Sequence, residues 1–165
     1  MWQRRRAMDA PASDSAFDTY DPELAAHLLD PNRDLRDGLT GYLGIRMVDV
    51  GPGWATAEVE ARDELVHRFG VLHGGVVATL VDQVLGSAVY PVAPPGTWPA
   101  TLEFKLNYLA PVRSGVVRAT ARIVGMSART AVVQVEVTNG DRTVATALGT
   151  ISLNPPKSPG SSESV

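Results

Sequence analysis

Residues 69–90 read FGVLHGGVVATLVDQVLGSAVY, and the fold turns on this stretch. From Gly74 to Tyr90 the apolar residues Val77, Leu80, Val81, Val84, Leu85 and Ala88 recur at spacings of three and four, which predicts one long α-helix. Pro91, Pro94 and Pro95 then end it, because proline cannot continue the helical hydrogen-bond ladder. This helix is apolar over much of its surface. It therefore needs burial on more than one side, and whatever surrounds it must wrap.

The flanking sequence supplies strands. Leu43 to Val50 is apolar and closes at the turn Gly51-Pro52-Gly53. Trp54, Thr56, Glu58 and Glu60 then alternate with Ala55, Ala57, Val59 and Ala61, the pattern of a half-buried strand. After the helix four more strands are expected, over 100–109, 116–125, 130–138 and 144–153. Turns at Arg113-Ser114-Gly115, Met126-Ser127-Ala128 and Asn139-Gly140-Asp141 join them, the second lacking a central glycine. The order β-β-α-β-β-β-β predicts an α+β chain: a curled antiparallel sheet around one central helix, the hotdog fold, over residues 41–154.

Outside that span the composition changes. Residues 1–20, with the Arg4-Arg5-Arg6 run and many Ala, Ser, Asp and Pro, are expected to be a disordered arm. Residues 21–40 are expected to hold short helices: Asp21 as N-cap, Pro22 in the first turn, Leu24, Leu28 and Leu29 on one face, then a turn at Asp30-Pro31-Asn32 and a second helix through Leu39. Residues 155–165, rich in Pro and Ser, read as a flexible tail.

Composition excludes several functions. The formal net charge is −3 with no clustered basic excess, which argues against a nucleic-acid binder. There are no cysteines, so disulfides, thiol nucleophiles and zinc-thiolate sites are excluded. His27, His67 and His73 lack metal-ligand spacing, and no metal is expected. No Walker loop or dinucleotide fingerprint is present. No apolar run approaches the roughly 20 residues of a membrane span, and the N-terminal arginines precede no apolar segment. A cytoplasmic protein without membrane contact is expected.

The chemistry concentrates in the opening stretch. Adjacent glycines at a helix start permit close approach of another group. The first helical N–H groups lack internal partners and stand at the positive end of the macrodipole, so Gly74 and Gly75 suit an oxyanion or a polarised carbonyl. Two turns on, Asp82 has Ala78, Thr79, Leu85 and Gly86 as face neighbours, with Gly75 beyond them. An acid in an apolar helix is costly unless paired, solvated or used. On pattern alone Asp82 is either catalytic or an acid on an interface or exposed stripe.

Gly70 to Asp82, together with Leu106-Asn107-Tyr108-Leu109-Ala110-Pro111-Val112-Arg113-Ser114-Gly115, resembles the hotdog thioesterases of the phenylacetate-pathway and 4-hydroxybenzoyl-CoA class. The resemblance spans roughly residues 41–153. It implies hydrolysis of an acyl-CoA thioester, with coenzyme A entering as part of the substrate and no separate cofactor. It assigns Asp82 as nucleophile or general base, the Gly74 N–H as donor to the thioester carbonyl, and His73 as a residue shaping the loop and substrate site. It also assigns Thr101 as a helper contributed across a dimer, and implies a homo-oligomer, dimer or dimer of dimers. Six residues before the motif histidine the family carries an Asn or Gln where this chain has His67, which can also donate a hydrogen bond. Arg113 and Arg129 are candidates for the substrate phosphates by location. Two other readings remain: a hotdog domain that binds an acyl-CoA or acyl carrier without turnover, and a hydratase, whose His–acid pairing is not evident here.

Overall fold

A computed structural model describes residues 17, 19–31 and 38–155. In chain order these form helices α1 (Pro22–Leu28) and α2 (Gly38–Leu43), strands β1 (Arg46–Gly51) and β2 (Trp54–Glu60), the short pair β3 (Val66–His67) and β4 (Val71–Leu72), the long helix α3 (Gly74–Val89), and strands β5 (Trp98–Tyr108), β6 (Val116–Met126), β7 (Thr130–Asn139) and β8 (Arg142–Asn154). The six long strands pair antiparallel in the order β1-β2-β6-β7-β8-β5 and wrap around α3. This is the expected hotdog fold.

Alternation along the strands decides which face meets the helix. Ala55, Ala57 and Val59 of β2, Val117, Ala119 and Ala121 of β6, and Val133, Val135 and Val137 of β7 point inward and are buried. Against them stand Leu80, Val81, Val84, Leu85, Ala88 and Val89 of α3, all at 0% exposure. Each of the larger side chains contributes about 1.5–3 kcal/mol by leaving water. Small inward residues let the sheet close tightly. At Gly149 of β8 a Cβ would lie 2.9 Å from Phe104 Cβ and 3.0 Å from Leu85 Cδ1, so glycine is required there by contact alone.

Several expectations need correction. Leu43 ends α2 and does not begin β1, and the loop before α3 holds the unforeseen β3–β4 ribbon. The β6–β7 joint dispenses with glycine because Ser127 Oγ accepts the N–H groups of Arg129 and Thr130 at 3.2 and 3.1 Å. Together with the 3₁₀ turn Tyr90–Val92, α3 forms a 19-residue apolar stretch that could span a membrane by length and composition, contrary to the sequence reading. Here the sheet supplies its apolar surroundings.

The arm is also shorter at its inner end than expected. Thr19 Oγ1 donates to the Val92 carbonyl at 2.7 Å, and the Phe17 ring fills the space a side chain at Gly53 would need. The Asp21 N–H donates to the Pro91 carbonyl at 2.7 Å while its carboxylate caps α1 through the N–H groups of Glu23 and Leu24. The rest of the expected arm (residues 1–16 and 18), the connection between the two short helices (residues 32–37) and the tail beyond residue 155 lie outside the described residues.

Candidate active site

Helix α3 is capped by its own motif. The His73 backbone is extended and its Nδ1 accepts the Gly75 N–H at 3.0 Å, satisfying one of the orphan donors of the first turn. The Gly74 N–H makes no hydrogen bond among the described residues. Gly74 is thus the free donor at the positive end of α3, and Gly75 is committed to the cap. This separates two glycines that position at the helix start alone treats alike.

Tyr108, at the end of β5, donates its hydroxyl to the Gly74 carbonyl at 2.7 Å. A Cβ on Gly74 would lie 3.0 Å from that hydroxyl and 3.1 Å from Cζ, so glycine lets the phenol reach the helix tip. The sequence uses Tyr108 only as part of a motif. In the structure it pins the backbone of the donor.

His67 sits beside this tip on β3. Its Nδ1 accepts the Phe69 N–H at 3.1 Å, and its ring lies edge-on to His73 with centroids 6.4 Å apart. Both imidazoles use Nδ1 as acceptor from the backbone. The tautomer assigned from these bonds therefore carries its proton on Nε2, leaving each ring one further donor. Arg113 approaches the same loop, its Nη1 3.3 Å from the Gly70 carbonyl oxygen. Gly74, Val77, Leu72, Tyr108 and Val112 line a cleft of about 360 Å³.

Asp82 belongs elsewhere. Eight residues along a helix span about 12 Å, and the carboxylate lies in a second groove of about 320 Å³ that shares no lining residue with the first. Its walls are Asp82, Gln83, Gly86 and Ser87 of α3, Tyr90 at the helix end, Pro99 and Thr101 of β5, and Leu28 from α1. Asp82 is exposed and makes no hydrogen bond or ion pair among the described residues. Gln83 Nε2 donates to Ser87 Oγ at 3.2 Å, an i, i+4 pair the sequence reading passed over.

Thr101 lines the same groove as its own chain's Asp82. Leu85 is fully buried against the sheet and does not border the carboxylate; Gln83 and Gly86 do. Arg129 lies at the Thr101 end of the sheet, where its carbonyl accepts the Leu153 N–H at 2.8 Å, whereas Arg113 lies at the Gly74 end. The candidate residues therefore fall into two separate groups, one at the helix tip with Gly74, His67 and His73, the other further along α3 with Asp82 and Thr101.

Comparison with known proteins gives a consistent picture. The family described as Thioesterase superfamily matches residues 69–146. The 1,4-dihydroxy-2-naphthoyl-CoA hydrolase of Listeria monocytogenes is 30% identical over 102 residues, which cover 62% of this chain and 83% of that protein. Among solved structures, a Haemophilus influenzae thioesterase superposes with a TM-score of 0.73 at 25% identity, covering 78% of this chain and 91% of that one. A phenylacetic acid degradation protein of Thermus thermophilus superposes with a TM-score of 0.65 at 29% identity, covering 70% and 98%.

Proposed function

This chain belongs to the thioesterase superfamily and is a thioester hydrolase, and from that premise we propose that it hydrolyses acyl-CoA thioesters at a site assembled from two copies. The observation that carries the shared site is the separation of about 12 Å between the free Gly74 N–H and Asp82 on one helix. A single thioester carbon cannot meet both within one chain. Edge strand β5 suggests how two chains solve this. Among the described residues it pairs only with β8, with Thr101 near one end and Tyr108, on the Gly74 side, at the other. Antiparallel pairing of two β5 edges about a two-fold axis brings the Thr101 end of one copy to the Tyr108 end of the other. It also draws Arg129 toward Arg113 of the second copy, where the phosphates of coenzyme A need cations.

In this reading the Gly74 N–H, with the Nε2–H of His67 beside it, polarises the thioester carbonyl and receives the developing oxyanion. Asp82 of the other copy takes a proton from water as the water oxygen attacks, or attacks the carbonyl carbon itself to give a mixed anhydride that water then opens. Thr101 lies beside the carboxylate and orients the water or the acid. Collapse of the tetrahedral intermediate breaks the C–S bond and releases the thiolate of coenzyme A; the acid is left free at once when water attacks, and after water opens the anhydride when Asp82 attacks.

A thiol-release assay over a panel of aryl and aliphatic acyl-CoAs tests this, with Asp82→Asn as its control. The variant keeps the side-chain shape and removes the basic oxygen. It should lower kcat by at least about a hundredfold while leaving the thermal unfolding midpoint in place. Turnover within a few-fold of the parent would move the chemistry away from Asp82, and binding of acyl-CoA without turnover would favour a carrier.

A further inference from the structure

The groove around Asp82 has one wall from outside the hotdog core. Leu28, the last residue of α1, lines it together with Gly86, Ser87 and Tyr90, beyond Asp82 as seen from the helix tip. This wall is held from three directions. Ala25 of α1 is buried, Thr19 and Asp21 hydrogen-bond the carbonyls of Val92 and Pro91 at the end of the core helix, and Phe17 packs on the β1–β2 turn at Gly53. Leu28 itself is half-buried against the core.

The floor beneath it is a glycine that the fold does not require. A Cβ on Gly86 would meet nothing within 4 Å, and its φ is not in the left-handed region. Glycine in a helix interior costs roughly 1 kcal/mol relative to alanine, so an open position there calls for a use. It leaves room next to the carboxylate, roofed by an aliphatic side chain and edged by Tyr90.

From this we infer that the N-terminal segment sets acyl-group selectivity: Leu28 and Gly86 bound the space that receives the acyl chain once its thioester carbon stands at Asp82. The occupant is the hydrocarbon or aryl part of the substrate, because Leu28, Tyr90 and Pro99 offer apolar contact and the lining carries no charge apart from Asp82 itself. The inference rests on the thioesterase site proposed above. A pocket that changes by one or a few methylenes discriminates by about 10- to 200-fold per group, so its wall should be readable in substrate ratios.

The test compares kcat/KM for a short and a bulky acyl-CoA in the full chain and in Leu28→Ala, Leu28→Trp and Gly86→Ala. The ratio is read because a general loss of folding or activity cancels from it. Leu28→Ala should shift the bulky-to-short ratio upward by about tenfold or more, and Leu28→Trp and Gly86→Ala should shift it downward. Gly86→Ala is the fold-neutral arm, since its methyl group meets open space and alanine favours the helix. Ratios within twofold of the parent in all three variants overturn the inference while leaving thioester hydrolysis at Asp82 standing. A parent chain that hydrolyses no acyl-CoA takes both down together.

Discussion

At the scale of single residues, the sequence named candidate groups but not their hydrogen-bond states. His67 shows why. Its position, six residues before His73, was legible as a departure from the family pattern, but whether it could serve as a donor depends on which ring nitrogen is occupied. The bond from the Phe69 N–H to Nδ1 settles the tautomer at Nε2–H and makes the imidazole equivalent, as a donor, to an amide. If donation to the thioester carbonyl is its role, His67→Ala should lower kcat/KM by roughly tenfold to a thousandfold, and His67→Asn or His67→Gln should recover much of that. Equal activity in all three variants would make His67 a bystander and leave Gly74 alone at the carbonyl. If the amides are as poor as alanine, the ring moves a proton or holds a substrate group. Gln83 and Ser87 were missed because a polar i, i+4 pair on a helix normally reads as a solvated face, whereas here Ser87 is buried and both residues line the groove.

At the scale of elements, periodicity worked where packing follows period and failed where two faces meet. The three-and-four spacing gave α3 to within a residue of its observed ends, yet it put Leu85 beside Asp82. A turn of helix presents neighbours on both flanks of a residue, and the curl of the sheet decides which flank is covered; it covers Leu85 and leaves Gln83 and Gly86 open. The ribbon β3–β4 was illegible because two-residue strands carry no alternation to read. The helix tip offers a sharp test of its role as donor. Gly74 is the first residue of α3 after an extended His73, the two conditions that proline tolerates, so Gly74→Pro deletes the N–H with little strain on the backbone itself. The added ring atoms press on Tyr108, whose side chain can swing. The expected outcome is a fall in kcat of about a hundredfold or more, the scale for loss of one oxyanion donor, with helical circular dichroism unchanged. Unaltered kcat would remove the Gly74 N–H from the mechanism.

At the scale of the whole molecule, the two-copy site proposed above makes an oligomer the working unit. Among the described residues, strand β5 has no partner along its outer edge over its 11 residues and exposes Trp98, Leu102 and Tyr108, an arrangement that natural sheets normally cover or charge. The resemblance implied an oligomer with Thr101 contributed across the dimer; in the shared site we propose, the division falls between Gly74 and Asp82, because helical rise sets them about 12 Å apart whatever the side chains do. Light scattering should accordingly give two or four times the 17.5 kDa of one chain. The stronger test mixes two inactive variants. A hybrid dimer of Asp82→Asn with Gly74→Pro has one site in which both reacting residues are mutated and one in which the Gly74 of the first chain meets the Asp82 of the second, both native. Random exchange makes half of the dimers hybrid, each with one working site of two, so activity should return to about a quarter of the parent value after denaturation and joint refolding. If each site lay within a single chain, every site in every dimer would retain its own lesion, and the mixture would stay as inactive as its components.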